Sequence, residues 1–118
     1  MLRVVVMVSG GGTNFEALIN AQENGKIPHG EIVLMVSSSK TAYALKRAEN
    51  HGIKSVVCSK KELGSQESFE EEILKNLEEN DIQLIVLAGF MSILSNEFTK
   101  KYENRIINIH PSLIPSFF

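Results

Sequence analysis

The 118 residues predict an α/β fold in which a parallel sheet carries helices on both faces. Three observations predict it. Short runs rich in β-branched residues alternate with stretches of helical spacing. The first run, Leu2–Val8, is apolar throughout except for Arg3, as a strand covered on both faces must be. The segments between the runs collect Gly, Pro, Ser and Asn, the residues of turns.

Leu2–Val8 is the first strand and stops at Ser9-Gly10-Gly11-Gly12. Thr13-Asn14-Phe15-Glu16 then matches a capping box, in which the Thr13 hydroxyl accepts from the Glu16 N–H while Glu16 reaches back. Phe15, Leu18, Ile19 and Gln22 follow at helical spacing, and Asn24-Gly25 closes that helix. Residues 31–36 form a second strand ending in Ser37-Ser38-Ser39. Residues 42–50 form a helix with Ala44, Leu45 and Ala48 on one face, terminated by Gly52. Residues 55–58 are a short third strand. Gly64-Ser65-Gln66-Glu67 opens another helix, with Ser68 and Glu71 as a second capping box and Phe69, Ile73, Leu74 and Leu77 as its buried stripe. Residues 83–88 are the fourth strand, residues 95–102 a short helix, and Ile106–Ile109 the fifth strand. Right-handed crossovers then give a Rossmann-like strand order, 3-2-1-4-5.

The length suits one domain, residues 1–118, and an apolar content of 43% excludes an intrinsically disordered chain. Twelve Lys and Arg against 14 Asp and Glu give a net charge of −2, which leaves no broad basic surface for bulk nucleic-acid binding. The single cysteine, Cys58, excludes an internal disulfide, fits a reducing compartment and reads as a small packed residue. No apolar run approaches the roughly 20 residues of a membrane span. The first residues carry no signal-peptide cleavage region. A soluble cytoplasmic protein with no membrane partner is expected. His29 and His51 read as solvated, Glu70-Glu71-Glu72 as a solvated helix start, and no metal-ligand spacing is present.

In such a sheet, ligands bind beyond the carboxyl ends of the strands, near the switch between the first and fourth. Three unusual segments fall there. The first is Ser9-Gly10-Gly11-Gly12-Thr13-Asn14, where glycines let backbone N–H groups approach an anion at a helix N-terminus. A dinucleotide fingerprint fails, because Phe15 replaces the third glycine and no acid follows the second strand. A Walker A loop fails for want of Gly-Lys-Ser/Thr. A single small phosphate fits better; a tight strand-to-helix turn with no ligand is the alternative, for which three consecutive glycines are entropically costly. The second segment, residues 87–94, leaves a strand through Gly89 and carries Phe90, Met91, Ile93 and Leu94. It reads equally as core packing and as the wall of a flat-ligand pocket. The third is Asn108-Ile109-His110-Pro111-Ser112-Leu113-Ile114-Pro115. Asn108 and His110 lie two apart on a strand, so an amide donor and an imidazole share one face, an arrangement suited to an oxyanion and to proton transfer.

Together these segments closely resemble the phosphoribosylglycinamide formyltransferase family, in order and with similar spacing over the whole chain. Ala42-Tyr43-Ala44-Leu45 with Arg47-Ala48 also looks like the family's second helix. The Asn-Ile-His-Pro-Ser segment is shared with other folate-dependent formyltransferases and with formyltetrahydrofolate hydrolase. The Ser-Gly-Gly-Gly-Thr-Asn loop separates them. The resemblance implies formyl transfer from 10-formyltetrahydrofolate, as co-substrate, to glycinamide ribonucleotide in purine biosynthesis, without a metal. It implies catalytic roles for Asn108 and His110, phosphate contacts at Gly11, Gly12, Thr13 and Asn14, and folate contacts at Met91, Ser92, Ile93, Leu94 and Asn108. Ser92 stands where the family often has arginine and Gln66 where some members place one, which leaves folate contact at both open. The family domain is longer. The resemblance therefore implies a truncated N-terminal, phosphate-binding portion, inactive alone, with the family's catalytic aspartate beyond Phe118. The strand edge so left invites a homodimer. The alternatives are another folate-dependent formyltransferase or formyltetrahydrofolate hydrolase, and a non-catalytic phosphate-binding module.

Overall fold

The structure, a computed structural model, describes residues 1–109. Its elements are β1 (Leu2–Val8), α1 (Thr13–Glu23), β2 (Gly30–Ser37), α2 (Ala44–Asn50), β3 (Lys54–Val57), α3 (Lys60–Leu63), α4 (Gln66–Glu79), β4 (Leu84–Ala88), α5 (Asn96–Lys101) and β5 (Ile106–Ile109). The five strands form one sheet in the order β3-β2-β1-β4-β5, every pair parallel. This is the order that the right-handed crossovers predict.

β1 is the spine of the sheet because its residues Val4 to Val8 are all buried. Alternate side chains feed two cores. Val5 and Met7 pack with Leu34, Val36 and Ile85 against Phe69, Ile73 and Leu77 of α4 and Phe98 of α5. Val4, Val6 and Val8 pack with Ile32, Met35, Val86 and Ala88 against Phe15 and Ile19 of α1 and Ala44 and Ala48 of α2. Full burial of each large apolar side chain contributes about 1.5–3 kcal/mol, so this two-sided strand contributes more than an edge strand can. A register shift between Val4 and Val5 moves the partner from Ile32 to Leu34 and absorbs Val33 as a bulge. Beyond the bulge Leu34 and Val36 face the α4 core, while Met35 faces α1.

Four local departures from the sequence reading have simple causes. β2 extends to Gly30 and Ser37 because β1 pairs along its whole length, from Leu2 with Gly30 to Val8 with Ser37. α2 begins at Ala44, preceded by a turn in which the Leu45 N–H donates to the Ala42 carbonyl at 3.2 Å. The single-turn helix α3 is absent from the sequence reading: it buries no residue, so no apolar period marks it. The Ser59 hydroxyl caps it. The cap of α4 is Ser65, whose hydroxyl accepts from the Ser68 N–H at 3.1 Å. Ser68 already lies in the first turn and forms no capping box with Glu71.

Cys58 is fully buried in the α4-side core, where burial pushes its thiol up to about 11. It is a packing residue, as its lone position in the sequence implies. Among the described residues no helix is long and apolar enough to cross a membrane.

Candidate functional site

The carboxyl ends of β1 and β4 lie side by side, since Met7 is in register with Leu87. β5 adds its own end next to β4, with Leu87 opposite Asn108 and Ala88 opposite Ile109. The topology therefore brings the described parts of all three unusual segments to one end of the sheet.

The glycine loop leaves β1 at Ser9. A Cβ built on Gly10 or Gly11 would meet no heavy atom within 4 Å, so these residues are open to an incoming group. Gly12 is different. Its φ is +78°, and a Cβ there would stand 2.7 Å from Ala44 Cβ and 3.1 Å from Ala44 Cα. It is glycine because α2 packs against it and because its backbone is left-handed.

Gly12, not Thr13, is the N-cap of α1, and no side chain caps this helix. The predicted capping box between Thr13 and Glu16 is thus not formed. The Glu16 N–H donates to the Gly12 carbonyl at 2.9 Å, and the Glu16 carboxylate turns to α2 instead. By contrast Ser59, Ser65 and Ser95 cap α3, α4 and α5. The first-turn N–H groups of α1 lack an intrahelical partner by geometry and lack a side-chain cap. Together with the positive end of the helix dipole they form an arrangement suited to an anion. Thr13 is exposed and Asn14 half-buried beside it.

A charged clasp ties α1 to α2 behind the loop. Arg47 lies over the Tyr43 ring and donates from Nε to the Gly11 carbonyl at 2.7 Å and from Nη1 to Glu16 at 3.3 Å. His51 lies between Glu16, 2.5 Å from Nε2, and Glu23, 3.0 Å from Nδ1. The solvated reading of His51 is therefore corrected: its side chain is 18% exposed and held by two carboxylates. Sequence reasoning missed it because the partners come from a different helix. Hydrogen bonds with Glu23 and Glu16 raise the His51 pKa above its ordinary value. The hydrogen bond from His51, aided by Arg47 against the opposing effect of burial, lowers that of Glu16.

These directions set a pH window. The raised His51 contributes stability fully below its unfolded value of about 6.5, and that contribution is lost as pH rises through the folded pKa. The lowered Glu16 contributes above its unfolded value and loses that contribution as pH falls through its folded pKa. His51→Gln is therefore expected to lower the melting temperature more at pH about 5.5 than at about 8.5. Thermal unfolding at both pH values checks this, and an equal loss at both would contradict it.

The second segment turns through Gly89, at φ +72°, and then divides. Phe90 stacks on Phe69 with centroids 6.4 Å apart, and Leu94 packs on the α4-side core. Met91 and Ile93 are each 82% exposed, with half-buried Ser92 between them. The core-packing reading thus holds for Phe90 and Leu94, while Met91 and Ile93 present their side chains outward.

Gln66 and Glu70 brace this loop from the first turns of α4. The Gln66 side-chain amide donates to the Ile93 carbonyl at 2.8 Å and to Glu70 at 2.6 Å. Glu70 accepts from the Ser95 N–H and hydroxyl, each at 2.6 Å. Burial raises the Glu70 carboxyl, but hydrogen bonds from Ser95 and Gln66 and the charge of Lys60 outweigh it and leave its pKa low. Glu70 is therefore a structural acceptor and not a solvated charge. The spacing of Gln66 and Glu70, one helical turn apart, was visible in sequence; their loop partners were not.

Asn108 is exposed near the end of β5, free of any side-chain hydrogen bond among the described residues. His110 lies outside the described residues, as do Pro111 to Phe118. No group of three or more His, Cys, Asp or Glu among the described residues could hold a metal ion.

This geometry agrees with comparisons to known proteins. The formyl transferase family profile matches residues 2–118. The trifunctional purine biosynthetic protein adenosine-3 of Gallus gallus is 47% identical over 116 residues, covering 98% of this chain and 12% of the relative. The phosphoribosylglycinamide formyltransferase of Haemophilus influenzae is 37% identical over 117 residues, covering 99% of this chain and 55% of the relative. The chain thus spans about half the length of that bacterial relative. The crystal structure of glycinamide ribonucleotide transformylase 1 from Geobacillus kaustophilus superposes with a TM-score of 0.89 at 38% identity, over 100% of this chain and 62% of the other. The phosphoribosylglycinamide formyltransferase from Brucella melitensis gives 0.88 at 45% identity, over 98% and 60%. The profile match over residues 2–118, together with the superposition at a TM-score of 0.89, places this chain in the formyl transferase family.

Proposed function

We propose that this chain is the phosphate-binding portion of a phosphoribosylglycinamide formyltransferase, acting in the cytoplasm on glycinamide ribonucleotide and 10-formyltetrahydrofolate. The observation that carries the reading is the uncapped N-terminus of α1 beneath an open glycine loop, set beside the exposed Met91 and Ile93. The names of the relatives support the choice of substrates.

In this reading, N–H groups from Gly11 to Asn14, with the Thr13 and Asn14 side chains, hold the ribonucleotide phosphate. Met91 to Leu94 line the folate, with apolar side chains against its flat ring. The substrate amine attacks the formyl carbon and forms a C–N bond. The carbonyl oxygen becomes an oxyanion, which the Asn108 amide stabilises by donation. Collapse breaks the bond to the folate nitrogen, which takes up a proton as the amine loses one. His110 is the group that moves that proton. Held in place this way, the two substrates react as one bound unit.

A formyl-transfer assay of the full-length protein, offering glycinamide ribonucleotide, water and charged tRNA as alternative acceptors, tests this reading. Transfer to the ribonucleotide is expected.

A further inference from the structure

Ser9 is the residue at which β1 gives way to the glycine loop. Its hydroxyl oxygen accepts two hydrogen bonds, from the Met91 N–H at 2.7 Å and from the Ser38 hydroxyl at 2.7 Å. A serine oxygen has two acceptor lone pairs, so both are engaged. The Met91 contact joins positions 82 residues apart. Three of the contacts that fix the apolar loop beyond Gly89 are the Phe90 ring on Phe69, the Ile93 carbonyl on Gln66 and the Met91 N–H on Ser9. The first two tie it to α4. Among these, only the third ties it to the glycine loop, and the Met91 side chain, 82% exposed, adds no anchor of its own.

We propose that Ser9 is a positioning residue that sets the apolar loop against the glycine loop, so that the phosphate half and the folate half of the site move as one unit. This rests on the phosphate reading of the glycine loop. A group bound at Gly11–Asn14 shifts the Ser9 peptide, and the Met91 backbone follows through the hydroxyl. By reciprocity, a ligand on the Met91 side changes phosphate affinity by the same factor as phosphate changes the affinity for that ligand.

The test is a titration of the full-length protein with inorganic phosphate, followed by amide NMR shifts, in the native protein and in Ser9→Ala, Ser9→Thr and Ser38→Ala. In the native protein the Met91 amide is expected to move with the same apparent Kd as Gly11, Gly12 and Thr13. In Ser9→Ala the glycine-loop shifts persist and the Met91 shift is at least halved. Ser9→Thr keeps the hydroxyl and retains the Met91 response, and Ser38→Ala, which leaves the Met91 contact intact, also retains it. If the glycine loop moves and Met91 stays still in the native protein, the coupling is wrong and the phosphate site stands. An undiminished Met91 response in a folded Ser9→Ala protein also overturns the coupling. If the glycine-loop amides do not respond to phosphate, the phosphate reading fails and the coupling with it. The native protein alone decides the matter if Ser9→Ala does not fold.

Discussion

Replacing Asn108 by alanine in the full-length protein is expected to lower kcat by about 10²–10³, the usual loss for one oxyanion donor. Phosphate affinity should change little, because the glycine loop proposed to bind phosphate leaves a different strand, β1. Asn108 is exposed near the end of β5, so its truncation opens no cavity and stability should stay within about 0.5 kcal/mol. A fall in kcat with KM for the ribonucleotide preserved would mark an interaction made in the transition state. His110→Ala should show a comparable fall, with a changed pH profile, because in the proposed mechanism the imidazole moves a proton. Steady-state kinetics across pH checks both, and near-normal turnover in either variant would leave that residue a structural role only.

Gly12→Ala is expected to destabilise the protein by about 2–5 kcal/mol and to abolish phosphate binding. Two costs combine. A left-handed backbone costs a residue with a Cβ about 1–2 kcal/mol. Forcing a methyl group into a packed contact costs about 1–3 kcal/mol more. The Cβ would come within 2.7 Å of Ala44 Cβ, on a buried residue at the start of α2 that has no flexible end to move aside. Relief requires either α2 or the loop to shift, and both also carry the Arg47 contact to the Gly11 carbonyl. Gly10→Ala is the control, since nothing lies within 4 Å of its Cβ position. Urea unfolding of the two variants checks the difference. Equal stabilities would remove the packing reason for glycine at position 12.

The strand order was legible because the apolar, β-branched runs stand out between turn residues, β1 being apolar apart from Arg3, and because handedness admits few arrangements. The stripe of Phe69, Ile73 and Leu77 was legible for a similar reason: helical spacing writes burial directly into the chain. Caps were less legible. Thr13 with Glu16 satisfies the spacing of a capping box, yet Gly12 takes the cap and Glu16 serves Arg47 and His51, contacts between residues 31 and 35 positions apart. Local rules cannot see a competing partner on another helix. The same limit hid Glu70, whose acidic run looks solvated until Ser95 is folded onto it. In the site, the glycine loop and Asn108 stood out by residue type, whereas Ser9, Gln66 and Arg47 gained their roles only from tertiary contacts with the loops.

The central claim is that the glycine loop and the end of β5 serve formyl transfer to a phosphorylated amine. Its most direct test is turnover of 10-formyltetrahydrofolate by the full-length protein with glycinamide ribonucleotide, with water alone and with charged tRNA. The account predicts formylated glycinamide ribonucleotide as the product, with negligible turnover when water or tRNA is the only acceptor. Formate release without the ribonucleotide, or formylation of the tRNA in its place, would contradict it.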